Sequence, residues 1–98
     1  RYRLPRLSSA LQTPAAGPFN FEILKARCPC GLDGPPAGVR AAQRRACARL
    51  RVVGEPGGAA ALAGVLAGKV EPTERTAVIL SGGNTDAQAF AKVLQGLD

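Results

Sequence analysis

With 98 residues and a net charge of +6, the chain falls in the size range of one small domain, where a core forms but buries a modest share of the unfolded surface. It has no His, Met or Trp, one Tyr and three Phe beside many Ala, Gly, Pro and Arg, which excludes a thick, self-sufficient core. A shallow core of Ala, Val and Leu predicts packing against a larger body, either a partner chain, a homo-oligomer included, or a further part of the same chain.

Three cysteines, Cys28, Cys30 and Cys47, are an odd number, and the first two stand too close to staple a small domain. Without histidine they lack the four ligands of a structural zinc site, so reduced thiols and no metal are expected. The longest weakly polar run, Gly57 to Gly68, is far shorter than the roughly 20 residues that span a bilayer, and no signal-peptide pattern is present. The expectation is a soluble, cytoplasmic protein without membrane contact, and a piece of a longer chain.

Residues 1–51 hold ten Lys/Arg against Glu22 and Asp33, while residues 52–98 hold three against five acids. Such asymmetry can mark a nucleic-acid arm. No aromatic interleaving or base-reading motif accompanies it, so a solvated basic face is the first reading and nucleic acid the alternative.

In chain order, residues 1–38 are broken by Pro5, Pro14, Pro18, Pro29, Pro35 and Pro36 and by several glycines, and are read as irregular. Phe19 to Arg27 escapes the breakers but fits neither the helical nor the strand period. From Val39 the pattern changes. Val39, Ala42, Ala46 and Leu50 recur at helical spacing with Arg40, Arg44, Arg45 and Arg51 mainly outside the stripe, predicting an amphipathic helix that fades near Val53-Gly54.

Glu55-Pro56-Gly57-Gly58 reads as a turn into a second helix with Ala59, Leu62, Ala63 and Leu66 on one face, closed by Gly68. Thr76 to Leu80 is largely apolar and rich in β-branched residues, as in a strand covered on both faces. After Ser81-Gly82-Gly83-Asn84, Thr85 and Gln88 make a capping box for a last helix with Phe90, Val93, Leu94 and Leu97 inward. The predicted order from residue 39 is helix, helix, strand, helix, an α/β piece. One strand makes no sheet by itself, so the rest of the sheet must lie elsewhere.

Ser81 to Asn84 occupies the carboxyl end of that strand, where open α/β sheets bind ligands. Gly82 and Gly83 let a flat group approach the backbone, and Ser81 can both donate and accept a hydrogen bond. A tight strand-to-helix turn with no ligand fits the same four residues. Neither a G-x-G-x-x-G fingerprint nor a phosphate loop is present.

Two segments together, R-V-V-G-E-P-G-G-A-A-A-L-A-G-V-L-A-G (Arg51 to Gly68) and R-T-A-V-I-L-S-G-G-N-T-D (Arg75 to Asp86), resemble in order and spacing the C-terminal end of the catalytic domain of threonine/serine dehydratase-like pyridoxal-phosphate enzymes. That family has fold type II, the tryptophan-synthase-β-like fold. Val39 to Leu50 also looks like the helix that precedes the Glu-Pro turn there. The resemblance implies a partial cofactor-binding domain over 39–98 and a lyase that takes water and ammonia from a hydroxy amino acid such as threonine or serine, leaving a 2-oxo acid. It implies that Ser81 hydrogen-bonds the pyridine nitrogen, that Gly82 and Gly83 leave room for the ring, that Asn84 holds the turn, and that Glu55 lies near the cofactor or caps the helix entrance.

The chain departs from the family upstream. No S-F-K-x-R-G-like setting for the cofactor lysine and no glycine-rich phosphate loop are found, and Lys25 in I-L-K-A-R-C shares only K-x-R with that setting. No catalytic residue is therefore assigned, and the piece alone is expected to be inactive. Gly17 to Arg27 is similar to a G-x-x-x-F-x-I stretch of some members, yet the strand that should follow is replaced by C-P-C-G-L-D-G-P-P. The alternative, from a different class, is a non-catalytic remnant or basic module that binds a protein or nucleic acid.

Overall fold

The computed structural model describes residues 15–28 and 31–97, and over these it holds four α-helices and no strand. They are α1 (Pro18–Arg27), α2 (Pro36–Arg45), α3 (Ala60–Leu66) and α4 (Ala87–Gln95), with α2 running directly into a π-turn, Ala46–Leu50. The expectations for residues 1–14 and for Cys30 lie outside the described residues.

α1 corrects the irregular reading of residues 18–27. Pro18 sits in the first turn, where its missing N–H has no intrahelical partner to lose, and Lys25 and Arg27 lie at the negative end of the helix dipole. Phe19, Phe21, Ile23 and Leu24 do not gather into one stripe. None is buried, and α1 packs against no other helix.

α2 is the hub. Val39 and Ala42 pack with Ala59 and Ala63, with Leu62 half-buried against them, so that α2 and α3 meet through small side chains. α4 also lies on α2, burying Phe90 and Val93, and Arg44 Nη1 donates to the Val93 carbonyl at 3.0 Å. That bond adds to the one the Val93 carbonyl accepts from the Gly96 N–H at 3.2 Å and ties the last turn of α4 to α2.

The predicted stripe from Val39 holds as far as Ala46, which is buried, and fails at Leu50, which is 59 % exposed. The wider i→i+5 turn shifts the phase of the helix over its last residues and swings Leu50 off the inner face. The π-turn ends at Arg51 with φ 59°, a left-handed conformation, and the Arg51 and Val52 N–H groups donate back to the Cys47 and Ala46 carbonyls. Such a helix end usually carries glycine, because the Cβ of any other residue crowds the backbone there. Arg51→Gly is therefore expected to raise stability by about 1 kcal/mol and the thermal midpoint by roughly 4–8 °C. Calorimetry of the two chains checks this, and an unchanged or lower midpoint would show that the turn is not strained.

Gly68 closes α3 as the sequence predicts. It takes φ 70°, its N–H donates to Val65 and the Lys69 N–H to Gly64, each at 3.0 Å. The capping box expected at Thr85 and Gln88 is replaced by a cap one residue later. The Thr85 N–H is drawn back to the Gly83 carbonyl, so Asp86 becomes the N-cap and its Oδ2 accepts from the Ala89 N–H at 2.8 Å. Of the predicted inner stripe of α4, Phe90 and Val93 are buried while Leu94 and Leu97 are exposed.

Thr76 to Leu80, expected to be a strand, forms none here. Val78 and Leu80 are half-buried, whereas Ala77 and Ser81 are exposed and Ile79 is 74 % exposed. This is the two-residue alternation of a strand. Among the described residues no ladder pairs with it, which is what leaves it short of a strand. Among the described residues the helical part of the predicted fold is thus present and its one predicted strand is not. No described helix is long and apolar enough to cross a membrane.

Candidate functional site

The turn at Glu55 and the loop at Ser81 are separated in sequence by the whole of α3 and its connector, and the fold brings them into contact. The Glu55 N–H donates to the Gly82 carbonyl at 3.0 Å. Gly58, which is buried, lies so close to the same glycine that a Cβ added there would stand 2.5 Å from the Gly82 oxygen and 2.8 Å from its nitrogen. No real Cβ fits that space, so backbone meets backbone only because position 58 is glycine.

Gly83 is blocked by backbone as Gly58 is, and Gly82 by a side chain. A Cβ on Gly82 would run into the Glu55 carboxylate, and one on Gly83 would stand 2.6 Å from the Val53 carbonyl oxygen. The side of each glycine where a side chain would stand is filled by the chain itself. An approaching ring has only their opposite face.

Three polar side chains border this contact without engaging one another. Ser81 and Asn84 are exposed and Glu55 is half-buried. Among the described residues none of the three has a side-chain hydrogen bond or ion pair. The loop therefore offers a hydroxyl, an amide and a carboxylate around a patch of bare glycine backbone. The N-terminus of α4 is capped by the Asp86 carboxylate, whose charge disfavours a phosphate there.

The site rests on one residue that periodicity alone could have marked. Gln43 is 1 % exposed, and its Nε2 donates to the Gly54 carbonyl at 2.8 Å, immediately before Glu55. It stands four residues after Val39 and three before Ala46, on the inner stripe of α2, where a polar residue signals a buried hydrogen bond. Its Oε1 finds no partner among the described residues.

Lys25 is exposed in the last turn of α1, which packs against no other helix. Cys28 and Cys47 carry free thiols, and the described residues include no group of three metal-ligating side chains. Compared with protein-family models, curated proteins and solved structures, the chain matches none of them.

Proposed function

We propose that Glu55, Ser81, Gly82, Gly83 and Asn84 form one wall of a pyridoxal-phosphate site, at the pyridine-nitrogen end of the cofactor, in a lyase that removes water and ammonia from a hydroxy amino acid. The observation that carries this reading is the contact between the Glu55 turn and the Ser81 loop, the two segments whose sequences resemble the dehydratase family. Nothing in their local sequence required them to touch. The unpaired hydroxyl, carboxylate and amide around the glycine backbone are the donor set that the ring end of the cofactor would meet, and the lack of a phosphate cradle limits the wall to that end.

When bound, pyridoxal phosphate supplies the electron sink for loss of the α-proton and departure of the β-hydroxyl. Ser81 would hold the ring nitrogen through its hydroxyl, which does not protonate that nitrogen as a carboxylic acid would, and so would favour elimination over chemistry that needs a long-lived carbanion. Glu55, braced on Gly82, would fix the position of the loop, and Asn84 the turn into α4. The α/β character of the complete domain belongs to the same proposal: Thr76–Leu80 would take its place between other strands. The cofactor lysine and the phosphate loop would come from sequence outside this chain, so the chain alone would have no lyase activity.

The test is calorimetric titration with pyridoxine 5′-phosphate, which has the ring and the phosphate but no aldehyde to react with surface lysines. Ser81→Ala is expected to weaken binding roughly five- to tenfold, the loss of about 1–1.4 kcal/mol that one hydrogen bond carries. Equal affinity for both chains would remove Ser81 from the site.

A further inference from the structure

A second surface stands apart from the glycine contact. Between Asp33 and Glu55 the chain has five arginines, Arg40, Arg44, Arg45, Arg49 and Arg51, and no acidic residue. Arg44 is engaged with α4 through the Val93 carbonyl. Arg45, Arg49 and Arg51 are exposed and take part in no ion pair among the described residues. Three guanidinium groups within seven residues repel one another unless an anion lies between them.

The backbone marks the same place. A π-turn carries Arg49, and Arg51 occupies the left-handed position that glycine would fill with less strain. We propose that Arg45, Arg49 and Arg51 form a contact surface for the phosphodiester backbone of nucleic acid. Each guanidinium presents a planar fork of donors that fits a phosphate in two parallel bonds, which a lysine does not. No aromatic residue lies among them to stack on bases, so the contact is made through the phosphates. A membrane surface fits less well. An interfacial helix must bury its apolar face in lipid, and the apolar face of α2 is covered by α3.

The test is fluorescence anisotropy with a labelled duplex of mixed sequence, read against salt concentration. If the three arginines each neutralise one phosphate, they contribute about 2.7 to the slope of log affinity against log salt, or roughly 40-fold between about 50 and about 200 mM. R45Q/R49Q/R51G should lose that part of the slope, and its folding is safeguarded because glycine relieves the strain at position 51. K25Q/R27Q/R75Q removes the same charge from exposed sites elsewhere and should retain most of the slope. Equal losses in the two variants, no binding by the parent chain, or binding of polyglutamate with the same dependence on the three arginines would each overturn the proposal.

Discussion

Gly58→Ala is expected to destabilise the chain by about 2–3 kcal/mol and to lower its thermal midpoint by roughly 10–20 °C. The added methyl would stand 2.5 Å from the Gly82 oxygen and 2.8 Å from its nitrogen. Both are backbone atoms, and the oxygen also accepts from the Glu55 N–H, so neither can turn aside as a side chain would. The turn and the loop must separate, and a small domain has little stability to absorb that. Gly83→Ala should behave similarly, since the methyl meets the Val53 carbonyl. Gly82→Ala meets only the flexible end of Glu55 and should cost less than about 1 kcal/mol. Thermal unfolding of the three variants gives the order directly; if Gly82→Ala proves the worst, the contact is not built as described.

Gln43→Ala is the second large effect, about 2–3 kcal/mol. It removes a buried donor from the Gly54 carbonyl, strands that oxygen, and leaves a cavity beside Ala42 and Ala46. Gln43→Met keeps the volume and also deletes Oε1, the acceptor that has no partner. The Met chain should therefore unfold between the parent and the Ala chain in denaturant. Were Met as damaging as Ala, the hydrogen bond to Gly54 would outweigh the packing entirely.

Much of the helical fold could be read from spacing, because Val39, Ala42 and Ala46, Ala59 and Ala63, and Phe90 and Val93 repeat at the period that puts them on one face. Three of the misses in the helices have separate physical causes. Leu50 left its stripe because a π-turn changes the period within the helix, and no residue type announces one. Asp86 displaced Thr85 as the cap because a local turn at Gly83 consumed the Thr85 N–H. The α1 sequence reads as irregular because periodicity detects burial, and a helix that buries nothing gives no period.

The site was legible in a different way. The glycines of the E-P-G-G and S-G-G-N segments could be picked out as places of close approach, but what approached them could not. Gly58 and Gly82 meet each other, and Gly83 meets Val53. Pairing of two remote turns depends on how α3 returns the chain, and that is a property of the fold rather than of either motif.

A pyridine ring seated at this contact is the central element of the proposed function. Backbone amide shifts of the 15N-labelled chain, followed while pyridoxine 5′-phosphate is added, locate the ring without requiring the cofactor lysine. Saturable shifts concentrated at Ser81, Gly82, Gly83 and Glu55 are expected, with their loss in Ser81→Ala while the rest of the spectrum is unchanged. Shifts confined to Arg45, Arg49 and Arg51, or none at Ser81 to Gly83 at saturating ligand, would contradict the proposed function.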